Sequence, residues 1–552
     1  MVLNMTETQT PKSRESAVPD QPDVYVRRAT GLVRAFSWTD MLVLNAFGTN
    51  IGIVLALTVL TGASLFPGSN MALAVILGMI LCVFNGLTYG LMSVAMPRSG
   101  GEFVWLSYTV HPLVGFATNW GLVIVFCFAY GMYAGMTANF GFAATFASLG
   151  VTMNLPWLVG WATTVATPNW VFGLGTLFIL ISIVIFILGP KAIRTFLWVV
   201  FVPSMLGTIA SLAVFLGTSH EAFVSTFNTV IQPYTNSTNS YQFIINAAKG
   251  AGASFPTMAL VPTLMALPLG YWAFVGFANS AYVGGEVKTP GRTQPLAIMG
   301  TLLLSGAVYA VMFWKFYDVV GWDFTTAVAY LYYSAPSQYP LPSPPVLNFF
   351  VGLVTANPYV SLLIGISFIL WTFMLVGLGP LIPSRCMFTW SFARITPEAL
   401  AKVDKRGSPW VTVVVSGLIA ELFLYLFTYT NMLDLVNYTI IWAIIFFIGG
   451  ISAILLPYTK KSLFDASPGI VKKKIAGFPL LVIVGIMNEV LFGFIIYFSI
   501  INPAFSGPTG ASAYGMIATI FLSGIVVYII SHYVRKRQGI DLALVWKEVP
   551  PE

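Results

Sequence analysis

Twelve apolar runs, each about 20 residues or longer, recur along this 552-residue chain and constrain its fold more than any other feature. They cover residues 37–61, 71–95, 112–147, 170–189, 195–217 and 258–283. A second set covers 296–320, 356–383, 409–430, 435–457, 477–501 and 512–533. A helix rises about 1.5 Å per residue, so about 20 residues cross a hydrocarbon core about 30 Å thick. Lipid offers no partner to an open strand edge, which leaves helices as the spanning structure. The expectation is an all-α polytopic membrane protein with helices numbered 1–12 in chain order. Only 8% of the residues are charged, whereas a water-soluble surface uses about a quarter. A soluble multidomain enzyme is excluded on that ground.

Lysine and arginine set the orientation. With the N-terminus inside, all 26 basic residues except Lys249 and Lys315 fall on the inner side. The net charge of +7 therefore reads as membrane topology and not as nucleic-acid binding. Both termini are expected in the cytoplasm and the helices in the plasma membrane. The chain divides into an N-terminal tail (1–36), helices 1–5 (37–217), an extracellular loop (218–257) and helices 6–10 (258–457). An inner loop with helices 11 and 12 (458–534) and a C-terminal tail (535–552) follow. The first 30 residues are polar and lack the apolar core of a signal peptide. Outer loops at 218–257 and 321–355 are long, and the first carries the sequon Asn236-Ser237-Thr238. Cys82, Cys127 and Cys386 sit in or beside apolar runs, which supports neither a disulfide framework nor a metal site.

Two runs are interrupted. Helix 1 reads DMLVLNAFGTNIGIVLAL, with Asn45, Gly48, Thr49, Asn50 and Gly52 near its middle. Helix 6 reads PLGYWAFVGFANSAYVGGEVKTP, with Gly276, Asn279, Ser280, Gly284 and Gly285. Either segment alone fits close helix packing through small residues as well as it fits a break. The two lie at corresponding places in helices 1–5 and 6–10, a pattern that points to a transporter built from inverted repeats. Freed N–H groups at a half-helix N-terminus receive an anion, and freed carbonyls receive an ammonium or metal cation. A carboxylate and an amine a few ångströms apart describe an α-amino acid.

Three further segments carry a resemblance: MPRSGGEFVWLS (96–107), GFANSAYVGGEVKTPGRTQPLAI (276–298) and SRCMFTWSFARITPEALAKVDKRGSPWVT (384–412). In this order they resemble signatures of the amino acid–polyamine–organocation (APC) superfamily of permeases, over about residues 30–535. The resemblance implies a five-plus-five inverted repeat of the leucine-transporter type, with helices 11 and 12 as additions. It implies alternating access, with substrate between broken helices 1 and 6 and helices 3, 8 and 10 lining the site. The backbone of Gly48, Thr49, Asn50, Ile51 and Gly52 would meet the carboxylate. Carbonyls around Trp272, Ala273, Phe274, Val275 and Gly276 would meet the amine, with Trp272 or Phe274 as an aromatic gate. At the inner end of helix 6, Glu286, Lys288 and Arg292 would lie near Arg98 and Glu102. These charges read either as a gate of ion pairs or as ordinary topology-setting charges.

The sequence departs from the family pattern in places. GTNIG replaces a Gly-rich run in helix 1, so Thr49 and Asn50 either contact substrate or cap the break. Ala278 stands where many relatives have an acid, and Ser204 falls where some have a lysine. No cofactor is expected beyond a coupling ion, Na⁺ or H⁺. Helix 1 carbonyls with Ser204, Ser367 and Thr372 are candidates for Na⁺, against the alternative that the hydroxyls bond their own helix backbone. For H⁺, Glu421 and Glu489 are the acids nearest mid-membrane, as proton carriers or as structural acids. Tyr130 and Tyr133 share one face of helix 3 and either line the site or pack the core. Helices 1, 3, 6, 8 and 10 offer no acid at mid-depth, which favours neutral, apolar or aromatic, amino acids. A cationic amino acid or polyamine exchanger is the alternative within carriers, and a sensor or channel is the alternative of another class. Histidines occur only at 111, 220 and 532, near helix ends or loops, and no catalytic constellation is present, so no enzyme is expected.

Overall fold

The computed structural model of the chain describes residues 32, 34–355, 357–430, 436–501 and 510–546. Most of the expected N-terminal tail thus lies outside the described residues, as does the end of the C-terminal tail. Among the described residues, the only strands are Lys474–Ile475 and Phe478–Pro479, a small hairpin before helix 11. Eleven helices there are long and apolar enough to cross a membrane. They are helix 1 (Trp38–Leu65), 2 (Met71–Ala95), 3 (Pro112–Thr152), 4 (Pro168–Ile187), 5 (Pro190–Leu216) and 7 (Pro290–Val320). The others are helix 8 (Pro358–Phe392), 9 (Trp410–Tyr429), 10 (Tyr438–Thr459), 11 (Leu480–Ile501) and 12 (Ala511–Arg537).

The difference from twelve lies in run 6, which is not a continuous helix. It consists of Leu260–Met265, Leu267–Trp272, turns over 273–278, and the 3₁₀ pieces Asn279–Tyr282 and Gly284–Glu286. Glycine carries no β-carbon to restrict the backbone, and Gly276 takes φ +98° within the turns. Hydropathy registers this segment as a span, whereas helix length does not. Helix 1 is interrupted at Asn50, helix 3 contains a π-helical stretch (Thr137–Phe142), and helix 8 turns at 378–380.

Helices 1, 2 and 7 and segment 6 pack on one another, with helix 7 along helix 2 and Leu267–Trp272 against helix 2. Helix 9 packs on helices 3 and 4, and helix 8 along helix 5. The loops expected at 218–257 and 321–355 are largely helical: His220–Thr235, Ser240–Gly250, Trp322–Ser334 and Leu347–Val354. Phe223, Phe227 and Ile231 recur at four-residue spacing on one face and are buried. Phe223 and Phe227 meet Tyr241 and Phe324, which stack with centroids 4.5 Å apart. Apolar content too low for a span is enough for a short amphipathic helix lying on the bundle.

Candidate functional site: a cavity between two broken segments

Asn50 joins the halves of helix 1 in the left-handed conformation, φ 46° and ψ 71°, which Asn adopts more readily than most residues. Its side chain completes the break. Oδ1 accepts from the Ile53 N–H at 3.1 Å, and Nδ2 donates to the Trp371 carbonyl at 2.9 Å. Thr49 Oγ1 donates to the Ala46 carbonyl at 3.0 Å and lies 3.3 Å from Ser305 Oγ. Both polar side chains are therefore used to hold the break. Ile51 and Gly52 open the second half, so their N–H groups stand at a half-helix N-terminus.

The interruption of segment 6 faces that of helix 1. A β-carbon on Gly48 would collide with the Gly276 carbonyl, and one on Gly276 with the Gly48 carbonyl, so the two backbones cross in direct contact. In the turns that follow Trp272, the carbonyls of Ala273 and Val275 accept no hydrogen bond among the described residues. Nearer the basic loops, Asn45 and Ser280 exchange two bonds, at 2.7 and 3.1 Å. Gln294 of helix 7 exchanges two more with Ser280, at 2.7 and 2.8 Å. Helix 1, segment 6 and helix 7 are thus tied together by a buried, mutually satisfied network.

Between the two interruptions lies a cavity of about 60 Å³, against the roughly 10–15 Å³ that holds one water. Gly48, Thr49 and Asn50 line it from helix 1, and Trp272, Val275, Gly276 and Asn279 from segment 6. Phe126, Tyr130 and Tyr133 come from helix 3, Leu375 and Gly379 from helix 8, and Tyr438 and Trp442 from helix 10. No Asp, Glu, Lys or Arg lines it. Of the ten residues expected at the substrate, Gly48, Thr49, Asn50, Trp272, Val275 and Gly276 border the cavity. Ile51, Ala273 and Phe274 are buried in packing, and Gly52 lies against Trp371. Phe274 packs on Tyr309 with centroids 5.5 Å apart. Two residues on from Trp272, it faces away, so Trp272 alone of the two candidate gate aromatics stands at the cavity.

Tyr130 does both things expected of it. Its ring borders the cavity beside Gly379, and its hydroxyl bonds Ser182 and the Ile179 carbonyl of helix 4. Sequence reasoning did not single out Tyr438, Trp442 or the turn in helix 8. The run Gly377-Leu378-Gly379-Pro380 carried the signal for that turn, since proline and glycine both interrupt a helix.

The candidate sodium ligands do not form one cluster. Ser367 and Ser204 meet, with Ser367 Oγ donating to the Ser204 carbonyl at 2.7 Å. Thr372, five residues further round helix 8, faces Gly141 of helix 3. All three hydroxyls donate to backbone carbonyls. The Trp371 indole N–H enters beside them, 2.9 Å from Thr208 Oγ1 and 3.2 Å from the Ser204 carbonyl. Two N–H donors, this indole and the Asn50 amide, thus occupy the junction of helices 1, 5 and 8. A cation needs converging lone pairs, and this donor set does not fit one. Neither mid-membrane acid borders the cavity. Glu421 accepts from Thr176 Oγ1 of helix 4 at 2.5 Å, and Glu489 lies beside Asn488 at 3.5 Å.

The charges expected at the inner gate pair differently from expectation. Glu286 is held bidentately by Arg385, at 2.8 and 3.1 Å, with both side chains buried. Arg98 makes no ion pair among the described residues, and Lys288 and Arg292 are exposed. The fork of Arg385, in the second part of helix 8, matches a buried carboxylate in geometry. Glu102 has no cation at all among the described residues. Asn119 Nδ2 donates to its Oε1 at 2.9 Å, and burial pushes its carboxyl up to about 7. At the same end, Asp40 caps helix 1 through Ser37 and pairs with Arg194 at 3.1 Å.

A family model described as amino acid permease matches residues 36–528. A branched-chain amino acid permease, BcaP of Lactococcus lactis subsp. cremoris (strain MG1363), is 24% identical over 381 residues, 66% of this chain and 71% of that protein. BcaP of Bacillus subtilis (strain 168) is 24% identical over 406 residues, 72% and 76% of the two chains. The glutamate/serine transporter AimA of the same organism is 22% identical over 260 residues, covering 45% of this chain and 41% of AimA. The relatives are transporters and not enzymes, and the match spans both broken segments and the cavity between them. The chain is a multi-pass membrane protein that belongs to the amino acid permease family.

Proposed function

We propose that this protein is a secondary active transporter of neutral, mainly apolar, amino acids across the plasma membrane. In this reading run 6 crosses the bilayer as a broken segment, giving twelve crossings. Helices 1–5 and 6–10 are inverted repeats, and both termini are cytoplasmic, as the basic loops favour. The observation that carries the reading is the cavity where Gly48 and Gly276 cross. The start of the second half of helix 1, capped by Asn50, lies on one side, the Val275 carbonyl, which accepts no hydrogen bond among the described residues, on the segment 6 side, and the wall is uncharged and aromatic. A half-helix N-terminus suits a carboxylate and a free carbonyl an ammonium. The wall suits an apolar side chain, because a charged one would be desolvated there without a counter-ion.

The packing supports alternating access as the mechanism. Helices 1, 2 and 7 with segment 6 move as one body against helices 3, 4, 8 and 9, about the cavity. Trp272 closes the site from the moving side. Sodium is not the coupling ion in this reading, because donors fill the junction of helices 1, 5 and 8.

The test is uptake of a labelled amino acid panel into proteoliposomes under an imposed sodium gradient and then a proton gradient. Accumulation of leucine, isoleucine, valine or phenylalanine, without need of sodium, is expected. Uptake confined to arginine, lysine or polyamines would refute the substrate class, and strict sodium dependence would refute the reading of the ion site.

A further inference from the structure

Glu102 is fully buried, yet no cation among the described residues pairs with it. It opens the short helix Glu102–Thr109 after the PRSGG turn, and five elements close over it. Helix 3 supplies Asn119, whose own oxygen is held by the Trp390 indole at 2.8 Å. Helix 2 supplies the hydroxyl of Tyr89, and helix 10 presents Gly449, where a β-carbon would meet both Tyr89 and Glu102. Segment 6 supplies Tyr282, and helix 8 the thiol of Cys386. Glu102 Oε2 and the hydroxyls of Tyr89 and Tyr282 are all buried without a hydrogen-bond partner. The titratable groups facing this carboxyl are therefore two phenols and a thiol, with no cation among the described residues. Glu286, the other acid at this end, has Arg385.

The turn that carries Glu102 is strapped to segment 6. Ser99 pairs with Val283, and the Gly100 N–H donates to the Tyr282 carbonyl at 3.0 Å. Asn119 and Trp390 belong to the opposing body. Opening the basic end of the bundle must pull these two sides apart and admit water to the carboxyl.

We propose that Glu102 is a proton-binding site of the inner gate: it holds a proton while the gate is closed and releases it to cytoplasmic water as the gate opens. The inference rests on the transporter reading for which side is the cytoplasm. In the closed state the carboxyl stays protonated up to about pH 7, and hydration on opening returns it toward its ordinary value of 4.5. Between these values closing takes up a proton, so acid favours the closed gate and a rise through about 7 favours opening.

The experiment is leucine exchange at equal concentrations inside and outside, in proteoliposomes of the full chain, with only the internal pH varied. The exchange rate is expected to rise at least about tenfold from pH 5.5 to 7.5. Glu102→Gln, which mimics the protonated form, is expected to exchange slowly and without pH dependence. Asn119→Leu removes the donor that stabilises the carboxylate and is expected to move the midpoint upward. The exposed Glu398→Gln is expected to keep the wild-type profile. A wild-type profile in Glu102→Gln, or a flat profile in the wild type, overturns the proposal. A readout independent of transport is alkylation of Cys386 by a maleimide at fixed pH 7.5, in protein carrying Cys82→Ala and Cys127→Ala. It is expected to run at least about fivefold faster with Glu102 than with Glu102→Gln, and equal rates overturn the proposal even if no amino acid is exchanged.

Discussion

The crossing of Gly48 and Gly276 permits a quantitative test of the site. A β-carbon on Gly276 would lie 2.5 Å from the Gly48 carbonyl carbon and 2.9 Å from its Cα. Ordinary contacts begin near 3.4 Å, so the two backbones must part by roughly 0.5–1 Å. Overpacking of this kind costs roughly 1–3 kcal/mol. Gly276 also holds φ +98°, where a side chain adds strain of order 1–3 kcal/mol. Gly276→Ala is therefore expected to lose about 2–6 kcal/mol. At Gly48→Ala the overpacking is partly offset by the gain of about 0.5–1 kcal/mol from replacing glycine in a helix. Its net loss is about 0–2 kcal/mol. Gly160, with open space around its β-carbon position, serves as the control, and Gly160→Ala should be neutral or slightly stabilising. The assay is initial leucine uptake normalised to folded protein, with the thermal unfolding midpoint measured alongside. Displacements of this size can cost on the order of a hundredfold in a positioned site. Gly48→Ala is accordingly expected to lose at least about tenfold in uptake while still folding. Uptake within threefold of wild type in both Gly48→Ala and Gly276→Ala would refute the assignment of the site to this crossing.

Removing either member of the buried Glu286–Arg385 pair should cost about 3–5 kcal/mol, seen as a lower melting midpoint of purified Glu286→Gln or Arg385→Met. The double variant should recover part of that loss. Trp272→Ala should raise the KM for leucine about tenfold, equivalent to about 1.4 kcal/mol, with an unchanged melting midpoint; an unchanged KM would place the gate elsewhere. Asn50→Ala loses the cap on Ile53 and meets strain in the left-handed conformation, at about 1 kcal/mol for the cap alone. Asn50→Gly, free of that strain, should retain more uptake, and the reverse order would contradict the capping role.

Much of this architecture was legible because bilayer thickness translates directly into run length, and ten of the twelve runs became plain helices or helices with a local π-turn or turn. The interruptions in helix 1 and run 6 were legible because glycine and asparagine are poor helix formers with special backbone freedom. What was not legible depends on distance in sequence or on side-chain direction. Arg385 lies 99 residues from Glu286, and the family resemblance placed Arg98 nearer. Thr372 resembled Ser367 as a hydroxyl at similar depth, yet five positions turn it to another face. Whether Asn50 and Thr49 touched substrate or capped the break turned on orientations that only the packed structure fixes. The outer helices fell below the hydropathy of a span, and their Phe223–Phe227–Ile231 face had no visible partner until Tyr241 and Phe324 were in place.

The substrate site is tested most directly by a structure of the protein in lipid nanodiscs, determined by electron cryo-microscopy with saturating leucine. Density for one leucine is expected between Gly48 and Gly276. Its carboxylate should lie toward the helix 1 break at Gly48–Asn50, its ammonium toward the Val275 carbonyl, and its side chain against Trp272 and the helix 3 and helix 10 aromatics. Bound leucine at another site, with this cavity left to water, would contradict it.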